Sequence, residues 1–224
     1  MAPIILYHSP ASPFSRSVLL LMRYLKLDVE VKVMNLMEKE QFTPEFLKIN
    51  PQHCVPTIDD DGFYLWESRA ILAYLLESKA PELVPTSPKE KAIVNQRLHY
   101  ELGGFTNKFI QLVVPIFSGQ REEVNPDTVK ELHEILFTID EHYFPNGNEW
   151  IAGEVITTAD FAYVATVSTL VALGLSLEKY PRLDGWLKRC TAVMTDYEEA
   201  NEKGIEIFKQ FYITKYPKAF ENFH

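Results

Sequence analysis

A change of periodicity near residue 80 is the strongest constraint on what this chain can fold into. Before that point apolar residues alternate between strand spacing and helix spacing; beyond it only the helical spacing remains. Residues 4–7 are a short apolar run, and a Ser/Pro loop over 9–13 leads into a helical pattern at about 14–25. Residues 28–36 read as a strand, with Val29, Val31 and Val33 alternating against Glu30 and Lys32. Thr43-Pro44-Glu45 supplies a cap, a proline for the first helical position and an acid for the first turn, so a short helix starts there. Residues 55–58 are the next strand, Asp61-Gly62 is a two-residue hairpin signal, 63–65 pair back, and 67–78 close the unit as a helix. The order β-α-β-α-β-β-α carries a helical crossover between its first two strands. It therefore predicts a parallel, right-handed pair with an antiparallel hairpin at the edge of one small mixed sheet.

The periodic signal lapses over 79–88, where Pro81, Pro85 and Pro88 stiffen the chain. This places a linker at 81–88, between a domain over 1–80 and a second over 89–224. In the second, Leu98, Leu102, Phe105, Phe109, Leu112 and Ile116 recur at alternate steps of four and three, as one continuous apolar seam. Asn125-Pro126 opens a helix whose seam is Val129, Leu132, Leu136, Ile139 and Tyr143. Thr157-Thr158-Ala159-Asp160 has the form of a capping box. The uncharged stretch after it, 161–177, is 17 residues long, which is short for a bilayer span and suits a central buried helix. Residues 181–193 and 197–213 add two more helices, so the second domain is an all-α bundle.

Composition removes whole classes of function. At 46% hydrophobic and 24% charged residues the chain is not intrinsically disordered. A net charge of −9 with no basic stripe argues against nucleic acid or an anionic membrane as partner. Cys54 and Cys190 are the two cysteines, too few for a disulfide framework or a cysteine-based zinc site, and no metal is expected. The first residues lack the basic region and apolar length of a signal peptide, so a cytoplasmic, reducing location is expected.

Three stretches carry recognisable chemistry: Ser12-Pro13-Phe14-Ser15-Arg16, Asn50-Pro51-Gln52-His53-Cys54-Val55-Pro56 and Trp66-Glu67-Ser68-Arg69-Ala70-Ile71. In this order and at these separations they resemble the glutathione-binding elements of cytosolic glutathione transferases, the insect delta and epsilon classes in particular. Val94-Asn95-Gln96-Arg97-Leu98 and Thr158-Ala159-Asp160 extend the likeness into the second domain. The resemblance implies a thioredoxin-like first domain followed by the helical bundle. It also implies a hydroxyl that hydrogen-bonds the glutathione sulfur. The match falls on Ser12, four residues before Arg16, with Ser9 and Ser15 nearby. Ser12-Pro13 equally has the form of a helix N-cap followed by proline at the first position. The two roles share a place, because the amides and dipole at a helix start favour an anion such as a thiolate.

By the same resemblance His53 faces the glycine carboxylate of glutathione, and the Val55 backbone pairs with the cysteinyl unit. Pro56 follows a cis bond, Glu67 meets the γ-glutamyl ammonium, and Ser68 and Arg69 meet its carboxylate. Each has a plainer alternative: a turn for His53, a helix cap for Glu67 and Ser68, a surface ion pair for Arg69. Where many relatives carry a histidine before the second helix this chain has Gln41, which implies weaker glutathione binding. Cys54 lacks a Cys-x-x-Cys partner and reads as structural. The second, hydrophobic substrate would lie over the sulfur against Tyr100, Phe109, Phe117, Phe208 and Tyr212. The implied activity is conjugation of glutathione, a co-substrate rather than a bound cofactor, to small hydrophobic electrophiles. Dehydrochlorinase or peroxidase side activity would accompany it. A homodimer is implied, with the helix after Trp66 and the helix containing Tyr100 on the two-fold axis. The rival readings are a non-catalytic carrier of hydrophobic ligands on the same fold and a disulfide oxidoreductase, which would need a cysteine where Ser9, Ser12 and Ser15 stand.

Overall fold

A computed structural model describes residues 2–221 and 223. The first part runs β1 (Ile4–His8), α1 (Pro13–Tyr24), β2 (Val29–Val33), α2 (Pro44–Ile49), β3 (Thr57–Asp60), β4 (Phe63–Trp66) and α3 (Ser68–Lys79). The sheet order is β2-β1-β3-β4. β1 and β2 are parallel, Ile4 opposite Val29 and His8 opposite Val33, as the helical crossover requires. β3 runs antiparallel to both β1 and β4. Asp61 and Gly62 both take positive φ, 55° and 87°, the conformation a tight hairpin needs to match strand twist. The thioredoxin-like α/β unit and the helices that follow it are the architecture expected from the change of periodicity.

Two strand boundaries differ from the sequence expectation. β2 stops at Val33 rather than residue 36, because the Asn35 side chain accepts the amides of Met37 and Glu38, at 3.2 and 3.3 Å, and turns the chain out of the sheet. β3 begins at Thr57 rather than residue 55, since Pro56 has no N–H for a ladder; the Val55–Pro56 bond is cis.

Helix α3 ends at Lys79 and the next begins at Pro88. The second part contains α4 (Pro88–Tyr100), α5 (Thr106–Phe117), α6 (Pro126–His142), α7 (Thr158–Ala172), α8 (Pro181–Val193) and α9 (Lys203–Lys215). Among the described residues no helix is long and apolar enough to cross a membrane. A π turn at Glu101–Phe105 joins α4 to α5. It breaks the expected seam: Leu98, Phe105, Phe109, Leu112 and Ile116 are buried, but Leu102 is 49% exposed. A π turn inserts one residue into the helical repeat, so the seam slips by one. Glu101 faces inward in place of Leu102 and is fully buried.

Helix α7 is the axis of the molecule. Residues 158–170 are buried on every side, and the helix packs against α1 and α3 of the first part and α4, α8 and α9 of the second. Its start is held by Asp160, which accepts hydrogen bonds from Thr157 N (2.8 Å), Ile151 N (2.9 Å) and Trp186 Nε1 (2.8 Å). Burial still pushes that carboxyl above its usual range. One contiguous apolar cluster runs through both parts, so the sheet domain and the bundle share a core.

The two parts approach closely at Gly204, in α9. A Cβ built there would lie 2.5 Å from Arg16 Cδ and nearer still to the Pro10 carbonyl oxygen. Gly204→Ala must push α9 off the loop before α1. Overpacking of this kind costs about 1–3 kcal/mol, and a thermal denaturation midpoint lowered by roughly 3–10 °C is expected.

Candidate functional site

The strand register brings the candidate segments together. Tyr7 pairs with Thr57, Thr57 with Trp66, and His8 with Val33. The loops entering α1, leaving β2, entering β3 and leaving β4 therefore all lie at one end of the sheet. Ser12, Gln41, His53 to Pro56, and Glu67 to Ser68 are distributed over these four segments.

Ser12 is the N-cap of α1, and its hydroxyl oxygen accepts the Ser15 N–H at 3.3 Å. That bond uses an oxygen lone pair and leaves the hydroxyl proton free to be donated. Ser12 is half-buried and opens on a cavity of about 610 Å³ between the two parts. Ser15 is fully buried, its hydroxyl receiving the Ser9 N–H at 3.4 Å, so it is committed to the loop. Ser9 is also buried and contributes its carbonyl to the Ser12 N–H.

The segment entering β3 is locked by Asn50, which is fully buried. Its amide donates to Cys54 O (3.1 Å) and Thr57 Oγ1 (2.9 Å), and its carbonyl oxygen accepts from Gln52 N at 2.8 Å. His53 is exposed with φ 46° and lies against the Phe42 ring, centroids 4.5 Å apart. Glu67, also exposed, has φ 70°. Left-handed backbone at two non-glycine residues flanking one site is strain of the kind held at binding sites. No side-chain cap bond ties Glu67 to α3. Gln41 sits in a 3₁₀ turn (Glu40–Phe42), and its Oε1 is buried without a hydrogen-bond partner. Burial pushes the Cys54 thiol up by more than the hydrogen bond donated by the Asn50 amide lowers it, which disfavours the thiolate a redox centre needs.

Arg69 does make an ion pair, but a largely buried one rather than the surface pair the sequence suggested. Its guanidinium pairs with the buried Glu101 carboxylate, with Nε to Oε2 at 2.6 Å and a second, short bond from Nη2. It also reaches Thr106 Oγ1 (2.9 Å) and Ser68 Oγ (2.7 Å) and lies 5.0 Å over the Phe14 ring. The π turn that exposes Leu102 is what turns Glu101 toward Arg69. The pair bridges α3 to the start of α5.

The cavity is apolar. Phe109, Phe117, Phe208 and Tyr212 line it, with Phe211 beside them. The Tyr212 hydroxyl is spent on the Val113 carbonyl at 3.0 Å. Tyr100 does not line it; its ring lies against Tyr143, centroids 6.2 Å apart, and against Gly104. Sequence reasoning missed the rest of the wall, from Val33 to Met37 and at Ile110, Val114 and Ile207. The signal was present on α5: Ile110, Val114 and Phe117 form a second apolar stripe beside the buried seam and stay partly exposed. Among the described residues no charged side chain lines this cavity, so it suits a neutral, apolar ligand placed above Ser12.

Comparison with known proteins agrees with this geometry. Residues 2–77 match the glutathione S-transferase N-terminal domain and residues 104–193 the glutathione S-transferase C-terminal domain. The chain is 37% identical to glutathione S-transferase D7 of Anopheles gambiae, over 96% of its own length and 99% of the relative's. It is similar to a delta-class glutathione transferase structure from Nilaparvata lugens, with a TM-score of 0.89, 37% identity, and coverage of 95% and 100% of the two chains. An epsilon-class glutathione S-transferase from the housefly, Musca domestica, matches with a TM-score of 0.87, 33% identity, and coverage of 95% and 98%.

The Arg69–Glu101 pair allows a stability test independent of any ligand. Arg69→Met leaves a buried carboxylate unpaired and is expected to cost about 3–5 kcal/mol in chemical denaturation. Adding Glu101→Leu to it should recover most of that loss, since an apolar pair leaves no stranded charge.

Proposed function

The chain belongs to the glutathione S-transferase family, and on that premise we propose that it uses Ser12 to hold glutathione as a thiolate and transfers it to small, neutral, hydrophobic electrophiles. The observation that carries this reading is the Ser12 hydroxyl, half-buried, capping α1 with its oxygen and opening with a free proton on an uncharged cavity. In this reading His53 and Gln41 face the glycine carboxylate and the Val55 backbone before Pro56 pairs with the cysteinyl unit. Glu67 meets the γ-glutamyl ammonium, and Ser68 with the α3 amides meets its carboxylate. Arg69 supports that end through Ser68 while paired with Glu101. Phe109, Phe117, Phe208 and Tyr212 hold the electrophile.

The expected gain from Ser12 can be bounded. A free thiol titrates near 8.5, so less than about a tenth is ionised at neutral pH. A hydrogen bond to a charged group is worth roughly 1.5–3 kcal/mol, about one to two pKa units. The thiolate fraction at neutral pH then rises to between about a quarter and three quarters, while a thiol of lower pKa is intrinsically less nucleophilic. Most of the acceleration comes from holding the thiolate against the electrophile in a dry cavity. No bound cofactor enters this scheme. Elimination of hydrogen chloride from organochlorines and reduction of organic hydroperoxides use the same thiolate and are expected side activities of a detoxifying enzyme. A homodimer in the cytoplasm completes the reading.

The test is thiolate absorbance of bound glutathione across pH. The wild type is expected to titrate about one to two units below free glutathione, so that activity falls as pH drops through the lowered value. Ser12→Ala should bind glutathione and titrate as the free thiol does; unshifted curves in both proteins would instead favour a carrier. Gln41→His is expected to tighten glutathione about threefold at pH 6, where the imidazole is charged, and less at pH 8. An unchanged dissociation constant at both pH values would remove Gln41 from the site.

A further inference from the structure

Arg16 is a residue that the proposed reaction leaves unused. It lies one turn after Ser12 on α1, its N–H bonded to the Ser12 carbonyl at 3.0 Å, and its side chain is fully buried. The guanidinium has no carboxylate within ion-pair distance among the described residues. It donates to two neutral acceptors, Asn201 Oδ1 and Thr169 Oγ1, the latter at 2.6 Å, and its Nε has no partner. The groups around it are neutral from every side. From β1, His8 is buried, with its pKa lowered to about 4 by burial and by Arg16 itself. From the segment before α9, Tyr197 is pushed up to about 12 by burial. From α7 come the hydroxyls of Ser168 and Thr169. The carboxylates of the neighbouring π turn, Glu198, Glu199 and Glu202, belong to exposed residues.

A buried, unpaired cation is costly, and a single Asp in place of Asn201 would neutralise it with the same shape. Keeping the charge has a use if an anion forms nearby. We propose that Arg16 is a positioning residue for the thiolate: it touches no substrate atom, and the positive field it holds beneath the loop of Ser9 to Ser12 favours the charged form of glutathione sulfur bound at Ser12. This inference rests on the Ser12 reading above. Four residues of helix span about 6 Å, so with the side chains the charges are roughly 10 Å apart. At an effective dielectric of about 20 that separation is worth about one pKa unit. The intervening residues His8, Ser9 and Ser15 are buried, so the effect should be insensitive to salt.

Asn201→Asp tests the field directly. It keeps the acceptor for Arg16 and adds a counter-charge, while the Ser168 hydroxyl turns to donate where it had accepted from the Asn201 amide. The bound thiol is expected to titrate about 0.5–1 unit higher than in the wild type, equally at low and high salt, with a thermal midpoint as high or higher. A merely structural Arg16 would leave the thiol titration where it was, and a shift below about 0.2 unit in the folded variant would overturn the proposal. Arg16→Lys, which keeps the charge, should retain the wild-type titration; a Lys variant that binds glutathione yet loses the depressed pKa would also overturn it. Wild-type glutathione titrating like the free thiol would sink the Ser12 reading and this one together. A depressed wild-type titration that Asn201→Asp leaves in place would sink only this one.

Discussion

The docking of α1 on α7 is the contact from which the site takes its shape. α1 carries Ser12 at its first turn and Arg16 on its buried face, and Arg16 reaches across to Thr169 of α7 and Asn201 before α9. Gly204 completes the contact by having no side chain to hold α9 away from Pro10. Because these groups pack at van der Waals distance, the loop before α1 has little freedom. The cavity then forms as the space left between that loop, α5 and α9. Loosening α1 from α7 would move the Ser12 hydroxyl and the cavity wall together.

The sheet does the complementary work at the other side of Ser12. Parallel pairing of β1 with β2 and antiparallel pairing with β3 put four connecting segments at one sheet end. Polar side chains then set the shape of each segment. Asn50 fastens the turn before Pro56, and the Asn35 side chain ends β2 early enough for residues 34–37 to become cavity wall. The Arg69–Glu101 pair ties the last segment to the bundle. The result is a polar rim above an uncharged pocket, with the Ser12 hydroxyl where the two meet.

Much of this was legible in the sequence because it depends on short-range rules. Thr43-Pro44, Asn125-Pro126 and Thr157 to Asp160 mark helix starts through capping chemistry, and the structure begins helices there. Asp61-Gly62 marks the hairpin through positive φ. The seam of α6, Val129 to Tyr143, is buried throughout. Beyond the two strand boundaries, the misses cluster at one turn. Leu102 left its seam at a π turn that no local preference announces, and Tyr100, on the same segment, went to Tyr143 instead of the cavity. Arg69 looked like a surface cation because its partner, Glu101, is 32 residues away and faces inward only through that same turn.

The sequence by itself determined the two-part architecture, the positions of most helix starts, the hairpin and the identity of Ser12 as a helix cap. These follow from residue period, capping and turn chemistry, which act within a few positions of the chain. Only the tertiary structure decided which apolar residues of α5 and α9 face a cavity rather than the core. It also decided that Arg16 is buried with no counter-charge among the described residues and that Arg69 is a bridge between the parts. Those outcomes depend on which side chains distant in sequence meet once the helices have packed, and on how far each is removed from water.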